Sequence, residues 1–358
     1  MKIWIDLRFI KDELYSRFIV QLVKSMIETE IENEYIIYSN KNIEWINSSN
    51  LSIKKVNIKI WSFKEQTNFL KILKKDNNNL MLFFNHFKPV FYKKEYITFV
   101  WSLKDIYYMN FNSHIKKYKY LYLMEKNYQN SYKVVCLDQN TKNELIEKFN
   151  IKEEKINILE AFFPNNWLIN NKTEELPVSV KAKYNINNEY FIYSWWDSIE
   201  KNYEKLVNVF SRLKNNWENI DLVFLWENIS KNINLRNLIL DNKLEKNVFF
   251  LWSIPLVDKE LLYNKSIWTI FPSFYEPFPF RLTEPLHFGW NILSSDLKNT
   301  KEVFWDKIEY FSPISVNSIY EIVSNFIKTN KEKYTDYNEV KQKYTIENST
   351  KQLIEIIK

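Results

Sequence analysis

Short apolar runs alternate with longer amphipathic segments along most of the chain. Runs of consecutive apolar residues are typical of strands buried on both faces. They fall at Lys2–Ile5, Tyr35–Tyr38, Val56–Ile60, Leu80–Phe84, Ile97–Val100, Val134–Leu137 and Ile156–Leu159, and then at Tyr190–Tyr193, Leu222–Leu225, Val248–Leu251, Thr269–Phe271 and Asn291–Ser294. Between these runs, apolar residues recur at helical spacing, as at Leu206, Val209, Phe210 and Leu213. The alternation predicts an α/β protein with parallel, doubly wound sheets.

A polar stretch separates the two series of predicted strands. It runs from Pro164 to Asn188 and is rich in Asn and Lys. Each flanking half has about the length of one α/β domain. We therefore predict two Rossmann-like domains, at 1–165 and 166–340, followed by a last segment at 341–358.

The composition excludes several classes of protein. A content of 46% hydrophobic and 17% aromatic residues is too high for a disordered chain. The single Cys136 excludes a disulfide scaffold, and one Cys with three His argues against a Cys/His zinc site. No apolar run is long enough to span a membrane, and Asp6 interrupts the first one, so no signal peptide is predicted. A cytoplasmic location is the expectation that follows.

The net charge of +6 is small for a chain of 358 residues. A solvated, lysine-rich surface accounts for it, and so does an anionic ligand or an acidic membrane surface. The aromatic and basic stretch His114–Tyr122 has the same two interpretations: an amphipathic helix with a solvated lysine face, or peripheral contact with the inner face of a membrane. Nucleic acid is not among the predicted partners.

The segment Phe271–Ser295 carries the most informative chemistry. A buried strand ends at Pro272, Glu276 follows in the next loop, and Glu284 lies on the helical segment behind it. In open α/β domains, ligands bind beyond the carboxyl ends of the strands. Two helical turns cover about seven residues, so both carboxylates can face one pocket.

This segment resembles the second domain of the retaining group 1 (family 4) glycosyltransferases, which have the GT-B fold. The positions that match the family motif are Pro272, Ser273, Glu276, Phe278, Glu284 and Gly289. Pro279 departs from it, because proline replaces a glycine and removes a backbone N–H that could contact the donor. The resemblance implies two Rossmann-like domains facing a cleft: 1–165 would bind the acceptor, 166–340 the nucleotide-sugar donor, and a helix within 341–358 would cross back to the first domain.

The activity that the resemblance implies is transfer of a hexose, with retention, from a nucleotide-diphosphate sugar to a glycan or lipid-linked acceptor. Lys201 would pair with the diphosphate and Glu276 would contact the sugar near the reacting carbon, which makes these two the predicted catalytic residues. Glu284 would accept hydrogen bonds from the ribose. No Asp-x-Asp motif occurs, so the transfer is predicted to be metal-independent, and no cofactor is predicted.

The remaining site residues also follow from the resemblance. Ser273 and Phe278 belong to the matched motif and are assigned to the donor. Trp195, Trp196 and Trp226 are assigned to it as well, because they stand where the family has phosphate-binding glycines. On the acceptor side His86 is the candidate, and Lys64–Gln66 is similar to a segment of mannosyltransferase-B-like members.

Thirteen Trp stand against one Gly. The family has glycine at seven of these tryptophans: Trp4, Trp195, Trp196, Trp226, Trp252, Trp290 and Trp305. Glycine serves there because it adopts positive φ and lets a phosphate approach the backbone, which an indole prevents. We hypothesise that UGA encodes glycine in the source gene and has been read as Trp. The alternative is that these are genuine aromatic core residues of a diverged protein.

Two other functions stay open. A catalytically inactive GT-B scaffold or partner subunit is favoured by the absence of the family's glycine-rich loop, since Phe9–Phe18 contains neither Gly nor Trp. A nucleotide-sugar epimerase of the same fold would need further acid/base carboxylates, and none stands out.

Overall fold

The structure is a computed structural model. It describes residues 1–10, 14–41, 43, 46, 48–76, 78–108, 113–164, 180–194, 198–216, 220–225, 232–329 and 335–358. The chain divides into two compact units. Unit 1 comprises Met1–Pro164 and Lys341–Lys358, and unit 2 comprises Asn165–Val340.

Unit 1 is built on a seven-stranded parallel sheet with the order β3-β2-β1-β4-β5-β6-β7. The strands are β1 (Lys2–Asp6), β2 (Glu34–Ser39), β3 (Leu51–Lys55), β4 (Leu80–Phe83), β5 (Tyr96–Val100), β6 (Lys133–Cys136) and β7 (Ile156–Ile158). The apolar runs put β1, β4 and β5 in the middle of the sheet, where their side chains are buried on both faces.

The helices of unit 1 connect these parallel strands and cover the sheet. They are α1 (Leu14–Thr29), α2 (Leu70–Asp76), α3 (Lys104–Tyr108), α4 (His114–Asn130) and α5 (Gln139–Phe149). In α1 the apolar residues Ile19, Leu22, Val23 and Met26 recur at helical spacing, and all four are buried. A π-helix at Glu65–Phe69 leads directly into α2.

One predicted strand of unit 1 is wrong. Val56–Ile60 alternates like a strand, but the strand in this region is β3, which begins five residues earlier at Leu51. The reason is the length of its neighbour: β2 ends at Ser39, which pairs with Lys55. Beyond Lys55, the amide of Val56 donates to the carbonyl of Ser39 at 2.7 Å, whereas the carbonyl of Ile58 accepts from the side chain of Arg8 at 3.2 Å and not from a strand.

Unit 2 contains a six-stranded parallel sheet with the order β10-β9-β8-β11-β12-β13. Its strands are β8 (Glu189–Tyr193), β9 (Ile220–Leu225), β10 (Val248–Leu251), β11 (Thr269–Phe271), β12 (Ile292–Ser295) and β13 (Glu309–Phe311). Its helices are α6 (Val180–Lys183), α7 (Tyr203–Asn216), α8 (Ile233–Asp241), α9 (Leu256–Lys265), α10 (Thr283–Phe288), α11 (Lys298–Phe304) and α12 (Val316–Thr329).

Two short helices complete the described chain: α13 (Asn338–Lys343) and α14 (Ile346–Ile357). Helix α14 packs against α1 and so belongs to unit 1. Its side chains Leu353, Ile356 and Ile357 are buried, and Thr350 Oγ1 donates to Ser25 Oγ of α1 at 2.9 Å.

The predicted fold class is confirmed: the chain has two α/β units, each with a parallel Rossmann-like sheet. Among the described residues, no helix combines the length and the apolar character that a membrane crossing would need.

Candidate functional site

Two side chains distant in sequence meet at the carboxyl ends of neighbouring strands in unit 2. Lys201 closes the short 3-10 turn Ile199–Lys201 that follows β8, and Glu276 lies in the loop after β11. Because β8 and β11 are adjacent and parallel, both loops leave the sheet at the same edge. The structure therefore brings together the two residues that the sequence predicted as catalytic.

Lys201 and Glu276 form an ion pair with little access to solvent. Lys201 Nζ donates to Glu276 Oε1, and the two side chains are 7% and 11% exposed. A second carboxylate, Glu200, has Oε1 at 3.9 Å from the same ammonium. Burial raises the pKa of Glu276, while Lys201 and the nearby Ser273 hydroxyl act in the opposite direction. One ammonium is thus held between two buried carboxylates.

Two asparagines fix the loops that carry this pair. Asn202 has φ 56°, a left-handed conformation that asparagine tolerates, and its Nδ2 donates to the carbonyls of Pro272 and Pro313 at 2.8 Å each. Asn299 Nδ2 donates to the carbonyls of Glu276 at 2.9 Å and Pro277 at 3.1 Å. Sequence reasoning did not find these anchors, because their partners are backbone atoms of distant loops.

A small pocket opens beside Glu276, with an empty volume of about 200 Å³. Ser273 and Glu276 contribute to its wall from the loop after β11, and Ser294 contributes from the end of β12. Ser273 Oγ is buried and has no hydrogen bond of normal geometry among the described residues. The pocket thus combines a carboxylate and a hydroxyl at the edge of the sheet where ligands of such domains bind.

Glu284 lies in the first turn of α10 and has different partners. Lys259 Nζ donates to its Oε1 at 2.5 Å, and Tyr263 OH donates to its Oε2 at 3.0 Å. The Glu284 side chain is 6% exposed. Burial, together with the Glu284 charge, raises the pKa of Tyr263 far above its usual range, so the phenol stays protonated.

Lys259 and Tyr263 are site residues that sequence reasoning missed. They are four residues apart on α9 and therefore share one helix face. The four-residue spacing of Lys259 and Tyr263 was visible in the sequence. That this helix face contacts Glu284 was not.

Of the remaining residues predicted to bind the donor, the structure describes Phe278 but not the three tryptophans. Phe278 is buried and packs on Phe280, with ring centroids 4.7 Å apart. Trp195, Trp196 and Trp226 lie outside the described residues.

The acceptor-side candidate His86 lies in unit 1, after β4. Its Nδ1 is 2.7 Å from Tyr128 OH, and its carbonyl accepts from Asn127 Nδ2 at 2.7 Å. Burial lowers the pKa of His86, and Asp105 counteracts this in part. The imidazole is therefore neutral near pH 7. It can act as a hydrogen-bonding group, and it is also a well-packed structural residue.

Several tryptophans in the described part of the chain have unusual environments. Trp61 has φ 61° and Trp305 has φ 35°, conformations that favour glycine. Trp4 is 1% exposed, and its Nε1 has no hydrogen-bond partner among the described residues. Trp290 is well accommodated: it stacks on Tyr263 at 4.5 Å, and its Nε1 donates to Asn264 at 2.5 Å. Gly289 has φ 73°, a left-handed conformation that glycine adopts without strain and that residues with a side chain rarely adopt.

Within the described residues, no group of three or more His, Cys, Asp or Glu side chains has the arrangement of a metal site. The structure places the Lys201 ammonium beside Glu276 as a cationic group.

Part of the sequence is similar to a known protein family. Residues 179–344, which span unit 2 from α6 to its end and continue to position 344, match the family model "Glycosyl transferases group 1". No curated protein matches the sequence.

Solved structures match the whole chain. HepE from Anabaena, in complex with UDP and glucose, superposes with a TM-score of 0.72 and 13% identity, covering 100% of this chain and 99% of its own. A glycosyltransferase from Rickettsia africae gives 0.64 and 15%, covering 99% and 93%. Sucrose-phosphate synthase from Thermosynechococcus elongatus gives 0.68 and 12%, covering 99% and 94%. The chain therefore has the GT-B fold, and residues 179–344 are similar in sequence to the group 1 glycosyltransferases.

Proposed function

We propose that this protein is a retaining glycosyltransferase that moves a hexose from a nucleotide-diphosphate sugar to a glycan or lipid-linked acceptor. The observation that carries the proposal is the buried Lys201–Glu276 pair beyond the carboxyl ends of β8 and β11. A neighbour in fold, HepE, is described in complex with UDP-glucose, so uridine-diphosphate sugars are the first donors to test.

The role of Lys201 follows from where charge develops. When the bond between the sugar and the diphosphate breaks, the electron pair goes to the phosphate oxygen, and a cation placed there lowers the barrier. Lys201 is a fixed ammonium in a nearly dry site. It would carry out this step without a metal ion.

The role of Glu276 follows from the opposite charge. The reacting carbon becomes electron-poor as the leaving group departs. A carboxylate beside it stabilises that charge and accepts hydrogen bonds from the sugar hydroxyls. The Asn299 amide that holds the Glu276 and Pro277 carbonyls keeps this loop in position. Glu284, held by Lys259 and Tyr263, would accept hydrogen bonds from the ribose.

Release of nucleoside diphosphate from a panel of donor sugars tests the proposal. We expect Lys201→Met and Glu276→Gln each to lower kcat/KM by about 100-fold or more, since each removes one charge aimed at the reacting centre. Glu204→Gln is the matched control. Glu204 lies in the first turn of α7, shortly after Lys201 in the chain, and its side chain is exposed.

Three results would contradict the proposal. A near-normal kcat/KM of Lys201→Met or Glu276→Gln would contradict the catalytic role assigned to that residue. Donor isomerisation without an acceptor would indicate an epimerase. Failure of every donor to turn over, together with tight binding of a partner transferase, would indicate a scaffold.

We also propose that Trp stands for glycine at many positions because UGA encodes glycine in the source gene. The positive φ of Trp61 and Trp305 supports this, since such conformations cost a bulky residue about 1–3 kcal/mol. UGG codons at positions 195 and 196 of the gene would contradict it.

The same idea predicts an effect on stability. Trp305→Gly should exceed Trp305→Ala in free energy of unfolding by about 1 kcal/mol, because both lose the indole but only glycine relieves the backbone. Urea unfolding of the two variants measures the difference. Equal stabilities would show that φ at this position carries no strain.

A further inference from the structure

Arg281 lies between the two carboxylates that the proposed function assigns to the donor. It belongs to the 3-10 turn Phe280–Leu282, after Glu276 and before Glu284 in the chain, and it is partly exposed. Burial and the Glu284 charge raise the pKa of Tyr263, and the Arg281 charge acts in the opposite direction, so the guanidinium lies near the Tyr263 hydroxyl. That hydroxyl donates to Glu284 Oε2 at 3.0 Å. Arg281 is therefore a cation close to the group that holds Glu284.

The charges of the site are unevenly distributed. At one end, the Lys201 ammonium is shared by two carboxylates, so that group has a net negative charge. At the other end, the Lys259 ammonium pairs with Glu284, so Arg281 adds a positive charge. In a nucleotide-sugar donor, the diphosphate joins the ribose to the sugar. With the ribose at Glu284 and the sugar at Glu276, the diphosphate lies between them, where an additional cation is favourable.

The backbone between the two glutamates has few N–H groups to offer to a phosphate. Pro277 and Pro279 have none. Three further amides donate to carbonyls within the turn: that of Phe280 to Phe278 at 2.8 Å, that of Leu282 to Pro279 at 2.9 Å, and that of Thr283 to Phe280. Two prolines and three engaged amides account for five of the seven positions 277–283. A side chain must therefore supply what backbone N–H groups supply in other phosphate-binding loops.

The residue type at position 281 suits this task. A guanidinium presents its donors in a planar fork that pairs with two phosphate oxygens at once, whereas an ammonium acts as a point charge. Arginine is rare in this chain, with 5 Arg against 45 Lys. Two of the others use the planar group: Arg8 pairs with two buried carboxylates, and Arg212 has its guanidinium carbon 4.2 Å from the centre of the Tyr320 ring.

From this arrangement we infer that the Arg281 guanidinium binds the diphosphate of the donor, in place of backbone N–H groups that this loop does not offer. Two of its N–H groups would donate to diphosphate oxygens. Lys201, paired with Glu276, would act at the sugar side, where the bond breaks. The inference rests on the proposed function and adds a diphosphate-binding residue to it.

Calorimetric titration of the full chain with UDP, GDP and ADP identifies the tightest-binding nucleotide, which then serves as the probe. We expect Arg281→Met and Arg281→Gln each to weaken its binding by about tenfold or more. Arg281→Lys should weaken it by about threefold, because lysine keeps the charge but not the fork. The corresponding nucleoside, titrated by NMR, should bind all variants within about twofold of the unchanged chain, because it has no phosphate to lose a contact.

Arg236→Met is the matched control, since Arg236 is an exposed arginine on α8 of the same unit. It should bind the nucleotide like the unchanged chain. Circular dichroism establishes that each variant is folded, and the two neutral replacements of Arg281 keep the test decisive if one of them does not fold.

Two outcomes would overturn the inference and leave the proposed function standing. The first is nucleotide binding by the neutral Arg281 variants at the strength of the unchanged chain. The second is equal weakening of nucleotide and nucleoside, since Arg281 would then only support the shape of the loop. Failure of the unchanged chain to bind any of the three nucleotides would overturn the inference together with the proposed function.

Discussion

Lys88 is a charged group that unit 1 holds nearly out of water. Its residue is 8% exposed, and its Nζ donates to the carbonyls of Pro89 and Tyr92 at 3.3 Å each and lies 4.7 Å from the Tyr96 ring. Burial lowers the pKa of Lys88 to about 8. These neutral partners compensate only in part for the water that the ammonium has lost.

Titration of Lys88 gives a prediction with a definite sign. In the unfolded chain its pKa is near 10.4, so between pH 8 and about 10 the unfolded state binds more protons, and this group stabilises the fold as pH rises. At pH 7 the buried charge costs about 3 kcal/mol. We expect Lys88→Met to raise the free energy of unfolding at pH 7 by about 1–3 kcal/mol and to lose part of that advantage by pH 9.5.

Urea unfolding of both proteins at pH 7, 8.5 and 9.5 measures this. Lys93→Met serves as the control, since Lys93 is exposed in the same loop. If the difference between Lys88→Met and the unchanged chain stayed constant with pH, the group would not titrate in this window.

At the residue scale, the sequence identified candidate charged residues but not the groups that hold them. Glu276, Glu284 and Lys201 are candidates because their types and spacing match a motif. The anchors Asn202 and Asn299 were not, since their amides bind carbonyls of loops up to 111 positions away. These hydrogen bonds form only in the folded domain, where the order of the strands brings the loops close together.

At the scale of elements, helices α9 and α10 cooperate to hold Glu284. Lys259 and Tyr263 project from one face of α9, and each occupies one carboxylate oxygen. Each oxygen retains a second acceptor site, so a ligand hydroxyl can still donate to it. The two residues are therefore positioning residues for Glu284.

Removing these supports should affect donor affinity more than the chemical step. We expect Tyr263→Phe and Lys259→Met to raise the donor KM by about 5- to 20-fold, with kcat within about threefold, because the ribose is remote from the bond that breaks. Steady-state kinetics with the active donor separates the two parameters. The matched control is Lys265→Met, the last residue of α9. A fall in kcat with unchanged KM would contradict a positioning role.

The elements themselves were largely predictable. Eleven of the twelve expected strands coincide with observed ones, because consecutive apolar residues identify strands buried on both faces. The failure at Val56–Ile60 and the unpredicted β13 both concern the outermost strands of their sheets. An outer strand has one neighbour and one side facing away from the sheet, so pairing decides its limits more than apolar pattern does.

At the scale of the whole molecule, unit 1 is made from two separate parts of the chain. Helix α14 contributes Leu353, which is fully buried, to a unit that otherwise ends at Pro164. Ser349 Oγ donates to the Glu160 carbonyl, and Lys133 Nζ donates to the Ile356 carbonyl at 2.5 Å. The helix is therefore a structural part of unit 1.

Weakening α14 should destabilise unit 1 selectively. We expect Leu353→Ala to cost about 2–5 kcal/mol, as other large-to-small changes in a core do. Hydrogen exchange should accelerate in α1 and β1 and stay unchanged in β8 and β9 of unit 2. Lys351→Ala, an exposed change on the same helix, is the control. Equal acceleration in both units would contradict the assignment of α14 to unit 1.

The placement of α14 also has a consequence for the time course of synthesis. The ribosome completes Met1–Pro164, then makes the 176 residues of Asn165–Val340, and only afterwards delivers Lys341–Lys358. At about 5–20 residues per second, this interval lasts roughly 10–35 s. During this interval, the surface of α1 that packs against α14 in the folded protein is not covered by α14. The nascent protein must therefore stay soluble with this surface exposed until α14 emerges from the ribosome.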